Sequence, residues 1–239
     1  ITFTIPVGMG MLKSGDRLLF SRGMLIGTGT LPVTMIVGGL LSGLSFLQIV
    51  LQSLPVLLFC FLLMFGIWRF PEQTVRAFTV FADVIRFLTT IGLIAGAFCY
   101  MTGFSLLPDL APLEDAMAVV SSIGIVLLGS LPTAELLQRV LKKPLSFIGR
   151  KTGMNDSSAA GLLMGIVSPV PAITMMEKMD ERGKIVNAAF LVSAASTIAA
   201  HMGFTFGTDP DFVVPLLVAK LAGGIAAVCA ALFFTKNSA

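Results

Sequence analysis

His201, the one histidine of this chain, and Lys220, the one Lys or Arg of 16 set deep inside an apolar run, are the residues best able to do chemistry in a low-dielectric interior. His201 could bind a solute or sense pH; as a structural residue it would be held by a hydrogen bond. Lys220 is the ninth residue of Phe212–Phe234. It lies too deep to snorkel easily, so it needs a carboxylate or carbonyls around it. Glu135 follows the apolar run Ala116–Thr133, behind Pro132. It could meet a cationic solute, or pair with Arg139 at i,i+4. Asp83 and Arg86, at i,i+3, read as a mutual ion pair.

A second group of candidates surrounds a backbone break. Ser168-Pro169-Val170-Pro171 interrupts an uncharged run and removes two backbone donors, so no regular helix can continue through it. The half-helix before the break would present carbonyls and its negative dipole end, an arrangement suited to a small cation. Asn187, Ser193, Ser196 and Thr197 lie on the next apolar run. Small polar residues of this kind usually let helices pack closely. Their adjacency to the break makes them candidate solute ligands, with Ser168, Pro169, Pro171 and His201.

These residue types exclude more chemistry than they suggest. There is no GxSxG, HExxH or P-loop, and no pair of intramembrane carboxylates at helical spacing. The three cysteines, Cys60, Cys99 and Cys229, sit singly in apolar runs without ligand spacing, so no metal set, cofactor or catalytic residue is expected. The net charge of +3 is not a nucleic-acid footprint, because the basic residues flank apolar segments instead of sharing one surface. The reading is a non-enzyme, and intramembrane polar groups point to transport.

The elements that must position these groups follow from hydropathy. Charged residues make up 12% and hydrophobic ones 56%, against about a quarter charged in a soluble domain. Gly23–Gly43 and Phe46–Trp68 are uncharged and, at 21 and 23 residues, long enough to cross a hydrocarbon core of roughly 30 Å. Lys and Arg cluster in alternate gaps: Lys13–Arg22, Arg69–Arg86, Arg139–Lys151, Lys178–Lys184 and Lys236. The gaps between, Ser42–Ser45, Pro108–Asp115 and Asp209–Asp211, contain no Lys or Arg, and the last two are acidic. One fold of the segments thereby puts 15 of the 16 basic residues on the cytoplasmic side. Further crossings are expected at Val80–Phe104, Ala116–Gln138, Ile185–Thr208 and Phe212–Phe234, with Leu141–Asn155 a basic connector and the C-terminus cytoplasmic.

Ser157–Met176 decides the architecture. A full span would put Lys178, Arg182 and Lys184 outside; a re-entrant hairpin keeps them inside. The two prolines favour the hairpin, since irregular backbone is tolerated at membrane depth where protein buries it. The fold class expected is therefore all-α, a polytopic transmembrane helix bundle with a re-entrant, broken helical hairpin. Pro32 before Gly38-Gly39 is echoed by Pro215 before Gly223-Gly224 on a helix of opposite direction, which suggests an inverted-topology repeat. The expected division is residues 1–45, the tail of a first repeat; 46–112, a connecting helix pair; and 113–239, a second repeat with its hairpin near 157–176. Ile1–Leu12 begins without Met and is too short to span, so it reads as the tail of a helix in a longer protein.

Met175–Phe204, MMEKMDERGKIVNAAFLVSAASTIAAHMGF, closely resembles a stretch of the bacterial ethanolamine-utilization permeases. SIGIVLLGSLP at Ser122–Pro132, KPLSFIGRK at Lys143–Lys151 and FVVPLLVAKLAGG at Phe212–Gly224 fit the same family in the same order. The resemblance implies a multi-pass protein of the bacterial inner membrane that admits ethanolamine for catabolism, with His201 and Lys220 at positions where family members carry the same residues. It departs at Ala200, where an Asp is expected, and at Ser168-Pro169, where paired Asn is expected. Partners expected are ethanolamine or a similar small amine, the lipid bilayer, a coupling H⁺ or Na⁺, and a homo-oligomer, with no nucleic acid. The alternatives are an ion-coupled symporter of another small polar solute, and a membrane-embedded structural or sensing subunit.

Overall fold

The computed structural model describes residues 4–104, 151–202, 204–205 and 209–235, with Met117, Ser121, Leu128, Pro132, Leu136 and Val140 as isolated positions. The expected crossing Ala116–Gln138 and connector Leu141–Asn155 fall mostly outside the described residues, and Glu135 falls wholly outside them. Among the described residues every regular element is helical.

Helix α1 (Thr4–Met11) turns back on α2 (Ser14–Gly29), and α2 continues with one irregularity at Thr30 into α3 (Leu31–Leu41). The span is thus Ser14–Leu41, longer at its start than hydropathy alone suggested. The irregularity has a specific cause. Pro32 has no N–H to offer the carbonyl four residues earlier, Thr28. A backbone N–H of the helix cap reaches that carbonyl, and the buried Cys60 thiol of α4 (Phe46–Arg69) donates to it as well, at 3.1 Å. Ser45 and Gln48 form a capping box that starts α4.

Helix α5 (Pro71–Thr102) opens on its proline and closes at Gly103, which takes the left-handed φ of 70°. It begins nine residues before the expected Val80. The Asp83–Arg86 ion pair, 3.3 Å, therefore lies about three turns into the helix. Among the described residues, four helices are long and apolar enough to cross a membrane: Ser14–Leu41, Phe46–Gly66, Gln73–Thr102 and Pro210–Phe234. Leu47, Leu51, Phe61 and Leu62 of α4 and Phe87, Leu93 and Ile94 of α5 are exposed, as lipid-facing side chains would be.

The segment Ser157–Met176 is a hairpin. Helix α6 (Asp156–Val167) stops at Ser168, which is extended at φ −155° and ψ 138°, and α7 (Pro169–Met175) packs back along it. At about 1.5 Å per residue neither piece could cross a bilayer. Its two ends are tied to each other: Asn155 N donates to Asp180 Oδ1 at 2.9 Å, and Asn155 Nδ2 to the Lys178 carbonyl at 3.0 Å. Helix α8 (Glu181–Ala194) then leaves from an Asp180 cap, and α9 (Val213–Phe234) completes the bundle.

The core lies where α8 crosses α2 and α9 through small faces. A Cβ on Gly23 would collide with the Ile185 carbonyl, and one on Gly27 with that of Ala189, so these helices touch backbone to backbone. Helices α3 and α9 run antiparallel: Thr34 lies against Gly223, and Gly38 against Ala219. Several of the ends expected to be cytoplasmic meet at one rim. Lys13 pairs with Glu177 (3.0 Å) and Lys184 with Asp16 (2.6 Å). Arg22 and Arg182 donate to the Phe234 and Leu232 carbonyls, capping the C-terminus of α9.

Candidate functional site

The expected crossing Ile185–Thr208 is broken, and the break is the centre of the site. Helix α8 ends at Ala194; Ala195 is non-helical, and Ser196 adopts φ +55°, the one positive φ among described non-glycine residues. A π-turn, Thr197–His201, follows. No proline or glycine marks this break in the sequence. The signal that could have found it is the cluster Ser193, Ser196 and Thr197, whose hydroxyls can replace helical backbone bonds.

This second break abuts the first. Pro169 deprives the Gly165 carbonyl of its helical donor, and the Ser196 amide, just past the end of α8, fills that vacancy at 3.0 Å. The Met164 carbonyl is taken by Ser168 N at 2.8 Å. The expectation that the end of α6 offers its carbonyls to a cation therefore needs correction at these two positions: both are bound within the protein. Thr197 Oγ1 donates to the Ala194 carbonyl (2.7 Å), His201 N to that of Ser196 (3.1 Å), and His201 Nδ1 to that of Ala195 (3.0 Å). The irregular backbone at this depth is thus satisfied group by group.

The candidates divide into three places. Ser168, Pro169, Ser196, Thr197 and His201 gather at the junction of the two breaks; Pro171 is half-buried one step into α7. Asn187 is elsewhere. Its amide donates to the carbonyls of Ser158 (2.8 Å) and Gly183 (2.9 Å), tying α8 to the start of α6, and its buried Oδ1 has no partner. Because Asn187 lies opposite Gly161, and Leu191 opposite Gly165, it sits about a turn short of the junction. Ser193 faces the opposite way and accepts from Thr34 Oγ1 of α3 at 3.1 Å.

Lys220 is in the third place, a cleft of about 310 Å³ bounded by α3, α4 and α9. The sequence reading missed the other polar residues of this cleft, Thr34, Gln52 and Ser53. Leu44 and Phe212 line it too, so two of the loops expected outside the membrane share one end of the bundle. The acidic partner expected for Lys220 is not found among the described residues. The π-turn packs against α9, the helix that carries Lys220.

Outside the membrane, Asp180 anchors the hairpin. It accepts from Asn155 N, from Ser158 Oγ at 2.6 Å and from Gly183 N at 3.1 Å. Burial alone would push its carboxyl up, but the bonds from Ser158, Asn155 and Gly183 hold it below its ordinary value. The Lys13 ammonium is raised by its hydrogen bond to Glu177. Among the described residues no group of His, Cys, Asp and Glu could hold a metal.

Spanning helices, a re-entrant hairpin and a second broken helix bonded to its tip define a multi-pass helical membrane protein of the discontinuous-helix class. The chain belongs to the EutH family, described as ethanolamine utilisation protein EutH, which it matches over residues 1–234. A Listeria monocytogenes protein named probable ethanolamine permease EutH is 38% identical over 237 residues, covering 99% of this chain and 64% of that protein. An Escherichia coli K12 protein of the same name is 34% identical over 260 residues, covering 99% and 64%. The Bacillus subtilis protein YxeR, described as uncharacterized, is 32% identical over 235 residues, covering 98% and 64%. The chain thus spans 64% of the length of these curated relatives. No solved structure matches it.

Proposed function

We propose that this chain forms part of a permease that admits ethanolamine across the bacterial inner membrane for catabolism. The relatives named as probable ethanolamine permeases support the substrate. The observation that carries the mechanism is the Ser196 N to Gly165 O bond, which brings two helix breaks together at one depth. Such junctions are where membrane proteins place hydrogen-bonding groups that a lipid-facing helix keeps to itself. Ethanolamine offers an ammonium and a hydroxyl; the hydroxyls of Ser168, Ser196 and Thr197 and the His201 ring meet it there. Asn187 and Ser193 hold α8 against α6 and α3 on either side. Passage exchanges hydrogen bonds and makes no covalent bond.

The rim of Lys13, Arg22, Lys178, Arg182 and Lys184 is cytoplasmic in this reading, and so is the C-terminus. The antiparallel packing of α3 on α9 supports the inverted-repeat division into residues 1–45, 46–112 and 113–239. Coupling to H⁺ or Na⁺ is read by collapsing each gradient during uptake.

The test of the site is Pro169→Ala with Pro171→Ala. An N–H at position 169 competes with Ser196 for the Gly165 carbonyl and uncouples the breaks. Labelled-ethanolamine uptake is expected to fall at least tenfold with membrane levels intact. Uptake equal to wild type in that double variant places the path elsewhere.

A further inference from the structure

The hydrogen bond from His201 to Ala195 determines which atom of the imidazole can serve a permeant. A carbonyl oxygen only accepts, so Nδ1, 3.0 Å from Ala195 O, carries the ring hydrogen. In the neutral ring Nε2 is then an acceptor, on the edge turned away from Ala195. The break itself enforces this tautomer. In an unbroken helix Ala195 O would accept from the backbone amide at 199. The left-handed turn at Ser196 and the π-turn after it withdraw that donor and leave the carbonyl to the histidine. His201 is further fixed by its own N–H on Ser196 O (3.1 Å), while Thr205 Oγ1 donates to the His201 carbonyl (2.8 Å). The ring is exposed although its Nδ1 edge is engaged.

Charge decides what Nε2 receives. Lys220 lies on α9, against which the π-turn of His201 packs, and the described cleft around it holds no carboxylate. An ammonium is repelled from this end of the site, whereas a hydroxyl is a neutral donor. We infer that His201 Nε2 is the acceptor for the hydroxyl of the permeant amine, with Ser196 and the Ala195 carbonyl as the positioning device that holds the ring in that tautomer. The inference rests on the permease reading above and adds to it a specificity element. A 2-hydroxyamine is preferred over the same amine without its hydroxyl, because the latter leaves a desolvated acceptor unpaired.

The experiment compares ethanolamine with ethylamine, which keeps the ammonium and lacks the hydroxyl, as competitors of labelled-ethanolamine uptake in cells carrying the permease. Wild type is expected to prefer ethanolamine by at least tenfold. His201→Asn keeps an amide N–H near the place of Nδ1 but has no acceptor at that of Nε2. It is expected to bring the preference to within about twofold at normal membrane level. His201→Gln, which can place its amide oxygen near Nε2, recovers part of it. A merely structural histidine would lower uptake of both amines together and leave the ratio unchanged; that result overturns the assignment. So does equal competition by the two amines in wild type, which needs no variant to fold. Wild-type protein in the membrane that takes up neither amine overturns the permease reading itself.

Discussion

Asp180 accepts from three donors on two segments, closing the hairpin and capping α8 with one carboxylate. Its carboxyl is held below the ordinary 3.8, so its contribution is fully present above that value. The contribution is lost as pH falls through the folded-state value. Asp180→Asn is expected to lower thermal stability in detergent at neutral pH by about 1 kcal/mol, the worth of a good cap. The variant should also lose less stability than wild type between neutral and acid pH; identical acid limbs would show that Asp180 does not anchor the hairpin. The sequence exposed the residue types of the site but not their assignments. His201 and Lys220 stand out as lone ionisable groups in apolar runs, whereas Asn187 was grouped with the break because it shares a helix with Ser196. Only packing shows that its amide faces Ser158, at the far end of α6 from the break.

At the scale of the element, prolines create carbonyl vacancies that other helices fill. Pro169 frees Gly165 O for Ser196 N, and Pro32 frees Thr28 O for Cys60 Sγ. The second case can be measured without transport. Cys60→Ala removes the interhelical donor from the buried Thr28 carbonyl, which keeps a backbone N–H from the helix cap, and is expected to cost about 0.5–1.5 kcal/mol. With Pro32→Ala in place, a backbone N–H returns to that carbonyl and the cost of Cys60→Ala should shrink by half or more. A double-mutant cycle on thermal unfolding reads the coupling, and additive effects would refute the pairing. The hairpin was legible because Pro169 and Pro171 cannot sit in a continuous helix. The break at Ala195–Ser196 was not, because Ala, Ser and Thr are all compatible with helix. It is tertiary pairing, with Gly165 and with the His201 ring, that makes the irregular backbone affordable there.

For the whole molecule, the two rims make a labelling prediction. Single cysteines at exposed Ser14, Gln73 and Lys178, in a protein whose Cys60, Cys99 and Cys229 are replaced by serine, should be shielded from an impermeant thiol reagent added outside. Cysteines at Ser42 and Asp209 should label. Labelling at Lys178 together with shielding at Ser14 would mean that Ser157–Met176 crosses the membrane.

The sequence by itself determined the membrane class and the helical character of the segments. These depend on the transfer of apolar and charged groups, which is additive along the chain and indifferent to what each helix touches. It also determined one of the two breaks, since proline's missing N–H is a local property. Which groups converge was left to the tertiary structure. Ser193 turning to Thr34, Asn187 to Ser158, Ser196 to Gly165, and Lys220 into a cleft with Gln52 and Ser53 are long-range pairings. The first three depend on close approach at Gly161 and Gly165 of α6 and Gly223 of α9, a property of surfaces in contact that no single helix carries in its own sequence.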